Sequence, residues 1–411
     1  MTVIGLGYMG LPTALLLARS GISVYGYDID TRKIQLLKEG RLPFEEAGLQ
    51  ECFEEARRFF VPTEHLQPSD AFILALPTPI TEEKTCDNSF VIAAIKDVCK
   101  VLRDEDLVVL ESTVAPGTTA GVVKSLLEST RKHFYLSYVS EKAIPGDTLR
   151  EMQQNHRIIG GFDKESAERT KALYERFVTA PIHLTDCTTA ESVKLMENTY
   201  RDVNIALANE LALRLSRQGV NVWEAIDLAN FHPRVHLHKP GPGVGGHCIA
   251  VDPWFLVNDD TPLIRQARMI NDGMPSVVVG LIEEMLRHVK HPTVVLLGAA
   301  YKGNVDDDRE SPTYAIKELL ELKGCAVRLY DPLIKKEPGM STKLPDATQD
   351  ADCLVLVTDH LLFKDINPTQ ITNMRSKNLV DTRNILDHQV WRHAGFRVSV
   401  LGRTGSIEKT A

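Results

Sequence analysis

The spacing of apolar positions predicts alternating strands and helices in the first part of the chain. Short apolar runs, each of strand length, are predicted at residues 3–4, 23–27, 71–76, 107–110 and 134–139. Amphipathic helical patterns lie between them, at residues 11–19, 91–102 and 121–127. Such alternation predicts a parallel sheet covered by helices.

The pattern changes near residue 190, where one long helical pattern begins. It continues to about residue 218, and Gly219 provides a C-terminal stop. Apolar positions on this helix are predicted to form a core seam at residues 193, 196, 200, 203, 207 and 211. More helix follows to about residue 290. Strand signals then return at residues 293–297, 326–330, 353–357 and 378–380.

These patterns predict an α/β protein with two Rossmann-like, doubly wound domains joined by a central helical region that contains one long helix. The predicted bounds are residues 1–185, 186–290 and 291–411.

Composition narrows the class of protein. Hydrophobic residues make up 43% of the 411 residues and charged residues 25%, which excludes a disordered or collagen-like chain. The net charge is −8, whereas a nucleic-acid binder would usually be basic. No apolar run approaches the ~20 residues that span a bilayer. We therefore expect no nucleic-acid partner and no membrane segment.

The cysteines and the first residues bear on the compartment. Seven cysteines are scattered along the chain without a CxxC pair. Their spacing favours a reducing cytoplasm over a disulfide framework or a structural zinc site. Residues 1–10 carry no basic leader, which disfavours a secretory signal. We expect a cytoplasmic protein that needs no metal.

A glycine-rich turn follows the first predicted strand. Residues 5–10 read GLGYMG and fit GxGxxG between a strand and a helix, the context in which this pattern binds a dinucleotide. The glycines allow the backbone to approach a pyrophosphate, and the helix N-terminus favours the anion. Asp28 ends the next strand, where a carboxylate binds a ribose hydroxyl and repels a 2′-phosphate, so NAD is favoured over NADP. The alternative is a simple glycine turn with a solvated Asp28.

A second glycine loop precedes a cysteine. Residues 241–248 read GPGVGGHC, and such glycines let the backbone close around a ligand. Cys248 is a candidate nucleophile if amides or a cation favour its thiolate, and the alternative is a small buried cysteine. Asp252 precedes Pro253, a pair typical of a helix start, and it can also belong to the site.

Polar side chains form a stripe on the long predicted helix. Lys194, Asn198 and Arg201 have i, i+4, i+7 spacing and so share one face. A solvated face is one interpretation. If another domain covers this face, a desolvated Lys194 can serve as a base or stabilise an oxyanion.

Several motifs in order resemble one family over essentially the whole chain. They occupy residues 3–12, 111–114, 191–198, 241–248, 301–312 and 380–384. Together they resemble the UDP-glucose/GDP-mannose 6-dehydrogenase family. His247 before the cysteine and the IAVDPWF run at residues 249–255 most resemble its UDP-N-acetyl-D-mannosamine dehydrogenase branch.

The resemblance implies an N-terminal NAD domain, a central region for dimerisation and catalysis, and a C-terminal UDP-sugar domain. It also implies a homodimer that oxidises the C6 alcohol of a UDP-sugar to a carboxylate, with NAD as the cofactor. Cys248 is then the nucleophile and Lys194 the base or electrostatic stabiliser. Asn198 and Asp252 assist with the substrate oxygen and water, and Glu141 with thioester hydrolysis.

The binding residues expected from the resemblance fall into two groups. The cofactor contacts are Gly5, Gly7, Tyr8, Met9, Gly10, Asp28, Lys33, Thr78, Thr113 and Arg309. The substrate contacts are Lys142, Ala143, Arg201, His232, Arg234, Gly245, Tyr301, Lys302 and Arg383, of which His232 and Arg234 are often supplied by the neighbouring subunit. Residues 140–142 read SEK where the family usually has PER, and Lys142 lacks the bidentate geometry of arginine.

Rival functions remain open at this level. The same reaction on UDP-GlcNAc or UDP-glucose is one rival. A two-electron dehydrogenase on another substrate would need no cysteine nucleophile and would form one NADH per product. A non-catalytic NAD-sensing or sugar-nucleotide-binding protein would bind both ligands without turnover, although such a protein has no need of Cys248 in its glycine loop.

Overall fold

The structure, a computed structural model, describes residues 1–144, 146–334, 340–341 and 343–403. The chain forms two compact units. The first comprises Met1–Glu197 with Trp254–Leu256, and the second comprises Asn198–Pro253 with the described residues from Val257 onward.

The first unit contains an eight-stranded sheet with the order β3-β2-β1-β4-β5-β6-β7-β8. Its strands are β1 Thr2–Ile4, β2 Val24–Tyr27, β3 Phe60–Thr63, β4 Ala71–Leu74, β5 Asp106–Leu110, β6 Phe134–Ser140, β7 Arg157–Gly161 and β8 Ile182–Asp186. Neighbouring strands are parallel except for β6 and β7, which are antiparallel. The predicted strands of this sheet are all parallel to one another, whereas β7, which was not predicted, is antiparallel to β6 because the short connection through one helix reverses the chain instead of completing a crossover.

Helices cover both faces of this sheet, because its central strands are apolar on both sides. They are α1 Gly10–Arg19, α2 Thr31–Lys38, α3 Leu49–Ala56, α4 Ser89–Val101, α5 Lys124–Glu128, α6 Thr148–Gln154 and α7 Lys164–Tyr174, with a π-helical turn at Thr119–Val123 before α5. One core lies under α1 and α3, and another lies under α4 on the opposite face.

The second unit contains a six-stranded, fully parallel sheet with the order β11-β10-β9-β12-β13-β14. Its strands are β9 Thr293–Leu297, β10 Ala326–Tyr330, β11 Met340–Ser341, β12 Cys353–Leu356, β13 Asn378–Asp381 and β14 Arg397–Val400. Its helices are α9 Val222–Ala229, α10 Pro262–Leu286, α11 Pro312–Leu322, α12 Leu344–Thr348 and α13 His388–His393. Short 3-10 helices lie at Leu361–Asp365 and Pro368–Gln370.

The long helix α8 spans Cys187–Ser216, and the boundary between the units falls within it. Gly219 has a positive φ of 83°, as expected for a residue just after a helix. The predicted core seam is wrong at Met196, Tyr200 and Leu207, which are 61%, 57% and 44% exposed, whereas Leu211 packs against a small core that includes Ala208 and Ala212. Apart from Leu195, the buried positions of the helix carry small or polar side chains, namely Cys187, Ala190, Glu191, Asn198, Thr199, Asp202, Ala206, Ala208, Asn209 and Ala212.

Two doubly wound sheets and a long central helix confirm the predicted fold class. The predicted domain bounds stay a prediction. Within the described residues, no helix combines the length and the apolar character that crossing a membrane requires.

Candidate active site

The glycine turn after β1 has the geometry of a dinucleotide site. Gly5 has φ +91°, its N–H donates to the Tyr27 carbonyl at 2.8 Å, and an added Cβ would lie 2.4 Å from the Ala75 carbonyl oxygen. A Cβ on Gly10 would lie 1.9 Å from the Gly5 carbonyl oxygen, so the fold itself requires both glycines. A Cβ on Gly7 would meet nothing within 4 Å. Packing therefore does not require Gly7, and the open space beside it fits the close approach of a pyrophosphate.

Asp28 lies directly after β2 with its carboxylate beside this turn. One oxygen, Oδ2, accepts hydrogen bonds from the Leu6 amide at 2.8 Å and from Lys33 Nζ at 3.1 Å. The other, Oδ1, accepts from the Asp30 amide at 2.8 Å. Lys33 is about one-third exposed, so its contact with Asp28 can be displaced by a ribose hydroxyl. These residues fit an NAD molecule bound at the turn.

The other predicted cofactor residues are divided between the two units. Thr78 Oγ1 donates to the Thr113 carbonyl at 2.5 Å, which joins the ends of β4 and β5. Tyr8 is 37% exposed with its ring centroid 4.4 Å from that of Phe44, and Met9 occupies the N-cap position of α1. Arg309 belongs to the second unit, where its guanidinium pairs in a bidentate manner with Asp307 at 2.9 and 2.6 Å.

Glu141 follows β6 and is buried in the first unit. Its Oε1 accepts from the amides of Lys142 and Ala143 at 2.6 and 2.7 Å. Its Oε2 accepts from Arg157 Nη1 at 2.5 Å. Lys142 Nζ forms an ion pair with Glu197 on α8. Sequence reasoning found Glu141, Lys142 and Ala143 but missed Arg157.

The glycine loop before Cys248 is shaped by close contacts within the second unit. A Cβ on Gly245 would lie 2.5 Å from the Glu310 carbonyl oxygen and 2.9 Å from Tyr301 Cβ. A Cβ on Gly246, whose φ is +83°, would lie 2.8 Å from the Tyr301 ring. Tyr301 therefore packs on the loop, and this explains why these positions are glycine.

Cys248 is exposed at the end of that loop and begins a tight turn. Its carbonyl accepts from the amides of Val251 and Asp252 at 3.0 and 2.8 Å. Burial lowers the pKa of the neighbouring His247, which favours a neutral imidazole beside the thiol. The exposed position of Cys248 contradicts the alternative of a small buried cysteine.

Asn198 and Asp252 form a buried polar pair in the same unit. Asn198 Nδ2 donates to Asp252 Oδ2 at 2.6 Å, and the two residues are 9% and 3% exposed. Asp252 begins the 3-10 helix Asp252–Leu256, as the Asp-Pro pair predicts. Lys194 is half-buried one helical turn before Asn198 and belongs to the first unit, whereas Arg201 is exposed. The predicted polar stripe is therefore buried in its middle and solvated at its end.

Apart from Arg201 on α8, the predicted substrate residues of the second unit lie on loops. Lys302 is exposed in the loop after β9, and this loop is held by a hydrogen bond of 2.9 Å from the Asn304 amide to His360 Nδ1. Arg383 Nε donates to the Val357 carbonyl at 2.9 Å. His232 and Arg234 are exposed after α9.

Two positioning side chains of the second unit escaped sequence reasoning. Asn209 Oδ1 accepts from the Gly241 amide at 2.9 Å and so ties α8 to the glycine loop. Asn209 follows the apolar residues 205–208 of the helical stretch, and this was the available signal. His360 had no local signal, because its partners are distant in sequence. Among the described residues, no cluster of His, Cys, Asp or Glu could hold a metal ion.

The doubly wound first sheet, its glycine turn and the carboxylate after β2 define a dinucleotide-binding oxidoreductase of the Rossmann class. Three family models match successive parts of the chain: the NAD binding domain of the UDP-glucose/GDP-mannose dehydrogenase family at residues 1–178, its central domain at 188–273 and its UDP binding domain at 295–388. The chain belongs to this family and is an NAD-dependent nucleotide-sugar dehydrogenase.

Individual relatives extend over nearly the full length. A UDP-N-acetyl-D-mannosamine dehydrogenase of Methanococcus maripaludis is 43% identical over 415 residues, which cover 97% of this chain and 96% of the relative. The solved structure of a UDP-D-ManNAc dehydrogenase from Pyrococcus horikoshii has a TM-score of 0.92 and 40% identity, and covers 98% of this chain and 99% of that one. An NDP-N-acetyl-D-galactosaminuronic acid dehydrogenase of Ralstonia nicotianae is 38% identical and covers 94% of this chain and 96% of the relative.

Proposed function

We propose that this protein oxidises the C6 hydroxyl of UDP-N-acetyl-D-mannosamine to a carboxylate in a four-electron reaction with a thioester on Cys248. The observation that carries the proposal is an exposed Cys248 at the end of the glycine loop, in the same unit as the buried Asn198–Asp252 pair. A thiol is the strongest nucleophile available to this loop.

The proposed chemistry divides one difficult oxidation into feasible steps. NAD, when bound, supplies the hydride acceptor for both oxidations. Lys194 takes the C6 hydroxyl proton, directly or through water, as a hydride leaves C6 for the acceptor, and the loss of both gives the aldehyde. Cys248 Sγ then adds to C6 and holds the aldehyde as a thiohemiacetal, whose oxidation gives the thioester.

Water releases the product from the thioester. Glu141 and Asp252 are the carboxylates proposed to orient this water, and Asn198 holds Asp252 through the bond of 2.6 Å. Both carboxylates are at least nine-tenths buried, so each keeps a fixed orientation. Water adds to C6, the C6–S bond breaks, and one water proton passes to sulfur, which leaves the acid and the free thiol.

The sugar is proposed from the names of the relatives and from local sequence. The proteins from M. maripaludis and P. horikoshii are both named for UDP-ManNAc, as is the branch that His247 and residues 249–255 resemble. A nucleotide-linked N-acetylgalactosamine is the competing substrate suggested by the R. nicotianae relative. NADH production from UDP-ManNAc, UDP-GalNAc, UDP-GlcNAc, UDP-glucose and GDP-mannose separates these cases, and a higher kcat/KM for any other sugar would overturn the UDP-ManNAc assignment.

The proposal includes a homodimer in a reducing cytoplasm. Apolar side chains stay exposed on α8, on α9 and in the turn after α9, including Tyr200 at 57%, Leu228 at 60% and Phe231 at 82%. Exposed apolar groups of this size are typical of a surface that a partner covers. His232 and Arg234 follow α9 and are also exposed, which suits residues that reach the substrate of a second copy.

The substitution Cys248→Ser tests the mechanism. A hydroxyl of similar size should preserve folding and NAD binding, but serine is a poorer nucleophile. We expect steady-state acid formation to fall by roughly three orders of magnitude or more. A single turnover should still give up to one NADH per site, with aldehyde or its hydrate at C6. Rapid-mix absorbance, with mass spectrometry of the sugar nucleotide, measures both quantities.

Two further variants complete this test. Lys194→Ala should suppress even the first NADH, because proton removal precedes or accompanies the first oxidation. Cys325→Ser is the matched control, since it places the same substitution in a half-buried cysteine after α11 and should leave the rate unchanged. A Cys248→Ser enzyme that forms the acid at nearly the normal rate would show that the covalent mechanism is wrong.

A further inference from the structure

Two buried carboxylates in the first unit are neighbours of one buried guanidinium. Glu111 follows β5, Glu141 follows β6, and Arg157 begins β7. Their exposed fractions are 6%, 8% and 1%. Buried charges are costly unless they are paired, and one arginine can neutralise only one of the two carboxylates. The contacts of the guanidinium therefore decide which of the two carboxylates it neutralises.

Backbone carbonyl groups hold the Arg157 guanidinium in place. Its Nη1 contacts the Ser140 carbonyl at 3.3 Å, and its Nη2 donates to the Met152 carbonyl at 2.8 Å. The same Nη1 lies 2.5 Å from Glu141 Oε2. A planar guanidinium with several fixed partners has one orientation, and lysine cannot reproduce these contacts. The position of the Glu141 carboxylate is therefore set by Arg157 and the two amides on Oε1.

Glu111 is held by hydroxyl groups. Thr13 Oγ1 donates to its Oε2 at 3.2 Å, and the Tyr174 hydroxyl donates to its Oε1 at 2.9 Å. Burial, and then the nearby Glu141 charge, raise the pKa of Glu111 to about 7. A carboxyl group that carries a proton near neutral pH leaves the charge of Arg157 to Glu141.

We propose that Arg157 is a positioning residue for thioester hydrolysis, which fixes the orientation of the Glu141 carboxylate through its Nη1 contact. Glu111 has its own partners in the Thr13 and Tyr174 hydroxyls and leaves the guanidinium to Glu141. This inference rests on the proposed function, because it assigns Glu141 to the hydrolytic step. In that step the C6–O bond forms from water, the C6–S bond breaks, and a water proton passes to Cys248 Sγ. Arg157 contributes no atom to this exchange and acts through Glu141.

The test is Arg157→Lys in the full chain, compared with Glu141→Gln. Both variants should form NADH in the first turnover at a normal rate. Acid release should then slow by about tenfold or more, as expected when an oriented group is displaced. Intact-protein mass spectrometry at steady state should detect the sugar-nucleotide adduct on Cys248 in both variants. The double variant should be no slower than Glu141→Gln alone, because the two residues act in one step.

The matched control is Arg169→Lys. Arg169 lies on α7 in the same unit, contacts Glu165 and the Tyr135 ring, and is 43% exposed. It should release acid at the normal rate without accumulating adduct. Normal acid release by Arg157→Lys, with adduct accumulation only in Glu141→Gln, would overturn the role of Arg157. Efficient turnover by Cys248→Ser would instead overturn the proposed function.

A second variant covers the case in which Arg157→Lys does not fold. Glu111→Gln replaces the carboxyl group by a neutral group of the same shape and should keep acid release at the normal rate at pH 6, below the pKa of Glu111. In the unsubstituted enzyme, acid release should decline above pH 7 as Glu111 ionises and competes with Glu141 for Arg157, with Tyr174 still donating to Glu111. Glu111→Gln should lose this decline. Slow acid release by Glu111→Gln at pH 6, or an unchanged decline at higher pH, would contradict the proposal.

Discussion

Each sheet begins with a strand that ends in a glycine turn, and the two turns have nearly the same geometry. Gly5 has φ +91° and donates to the Tyr27 carbonyl at 2.8 Å, whereas Gly298 has φ +97° and donates to the Tyr330 carbonyl at 2.8 Å. An aspartate follows the second strand of each sheet, and its carboxylate accepts hydrogen bonds from backbone amides of the turn. This residue is Asp28 in the first sheet and Asp331 in the second. The backbone plan is therefore shared.

The carboxylates differ in their remaining partners. Asp28 has Lys33, a partly exposed side chain that a ligand can displace. Asp331 accepts from His360 Nε2 at 2.9 Å and from the amides of Ala299, Ala300, Leu333 and Ile334. Its side chain is fully buried. One turn thus keeps a carboxylate available for a ribose, while the other uses its carboxylate to hold the loop that carries Tyr301 and Lys302.

The largest predicted effect concerns the two turn glycines. Gly5→Ala and Gly298→Ala should each destabilise the protein by about 3 kcal/mol or more, since strain at positive φ adds to a severe clash. A Cβ added at Gly5 would lie 2.4 Å from the Ala75 carbonyl oxygen, and a Cβ added at Gly298 would lie 2.3 Å from Thr358 Cβ. Thermal unfolding measures the loss.

Matched controls separate strain from the clash. Gly21 and Gly324 also have positive φ, but a Cβ on either would meet nothing within 4 Å. Alanine there should cost only about 1 kcal/mol. Equal losses at all these glycines would show that close packing of the turns is unimportant.

The next effect in size concerns Asp331. Although burial opposes it, hydrogen bonds from His360 and backbone amides hold the pKa of Asp331 well below its usual value. In the unfolded chain the pKa of an aspartate is about 4, so the ionised Asp331 carboxylate stabilises the folded state above that pH. This stabilisation is lost as the pH falls towards the lower pKa of the folded state. Asp331→Asn should therefore cost about 2 kcal/mol at pH 7 and less at pH 3. Urea unfolding at both pH values tests this, with the exposed Asp365→Asn as control. A loss independent of pH would contradict the assignment.

Gly7 distinguishes binding from folding in the first turn. Gly7→Ala should leave the melting temperature nearly unchanged, because its Cβ would meet no protein atom. The methyl group would occupy the space assigned to the pyrophosphate, and we expect NAD affinity to fall by roughly tenfold to a hundredfold. Calorimetric titration with NAD measures the change, and unaltered affinity would place the dinucleotide elsewhere.

The smallest effect concerns the choice of cofactor. Asp28→Ala should narrow the preference for NAD over NADP by about tenfold, since it removes the carboxylate that repels a 2′-phosphate. Lys33 would then be free of its ion pair with Asp28 and could attract that phosphate. The ratio of kcat/KM for the two cofactors measures the change. Equal efficiency of the unsubstituted enzyme with both cofactors would contradict the role of Asp28.

Local sequence patterns predicted the strands and the turn whose signals lie within a few neighbouring residues. The apolar runs predicted the central strands β1, β4, β5, β9 and β12, and GxGxxG predicted the turn at Gly5. The antiparallel strand β7 and the exposed apolar face of α8 could not be predicted, because both depend on neighbours distant in sequence. Arg157 was missed for the same reason, since its partners Glu141 and Met152 meet it only after the sheet has formed.

The stoichiometry of NADH to product tests the central claim most directly. The enzyme is given UDP-ManNAc with excess NAD, and the reaction is run until the sugar nucleotide is consumed. Absorbance gives the NADH formed, and mass spectrometry identifies the group at C6. We predict two NADH for each UDP-ManNAc, with all product as the C6 carboxylate. One NADH for each sugar nucleotide, with product at the aldehyde or ketone level, would contradict the four-electron mechanism.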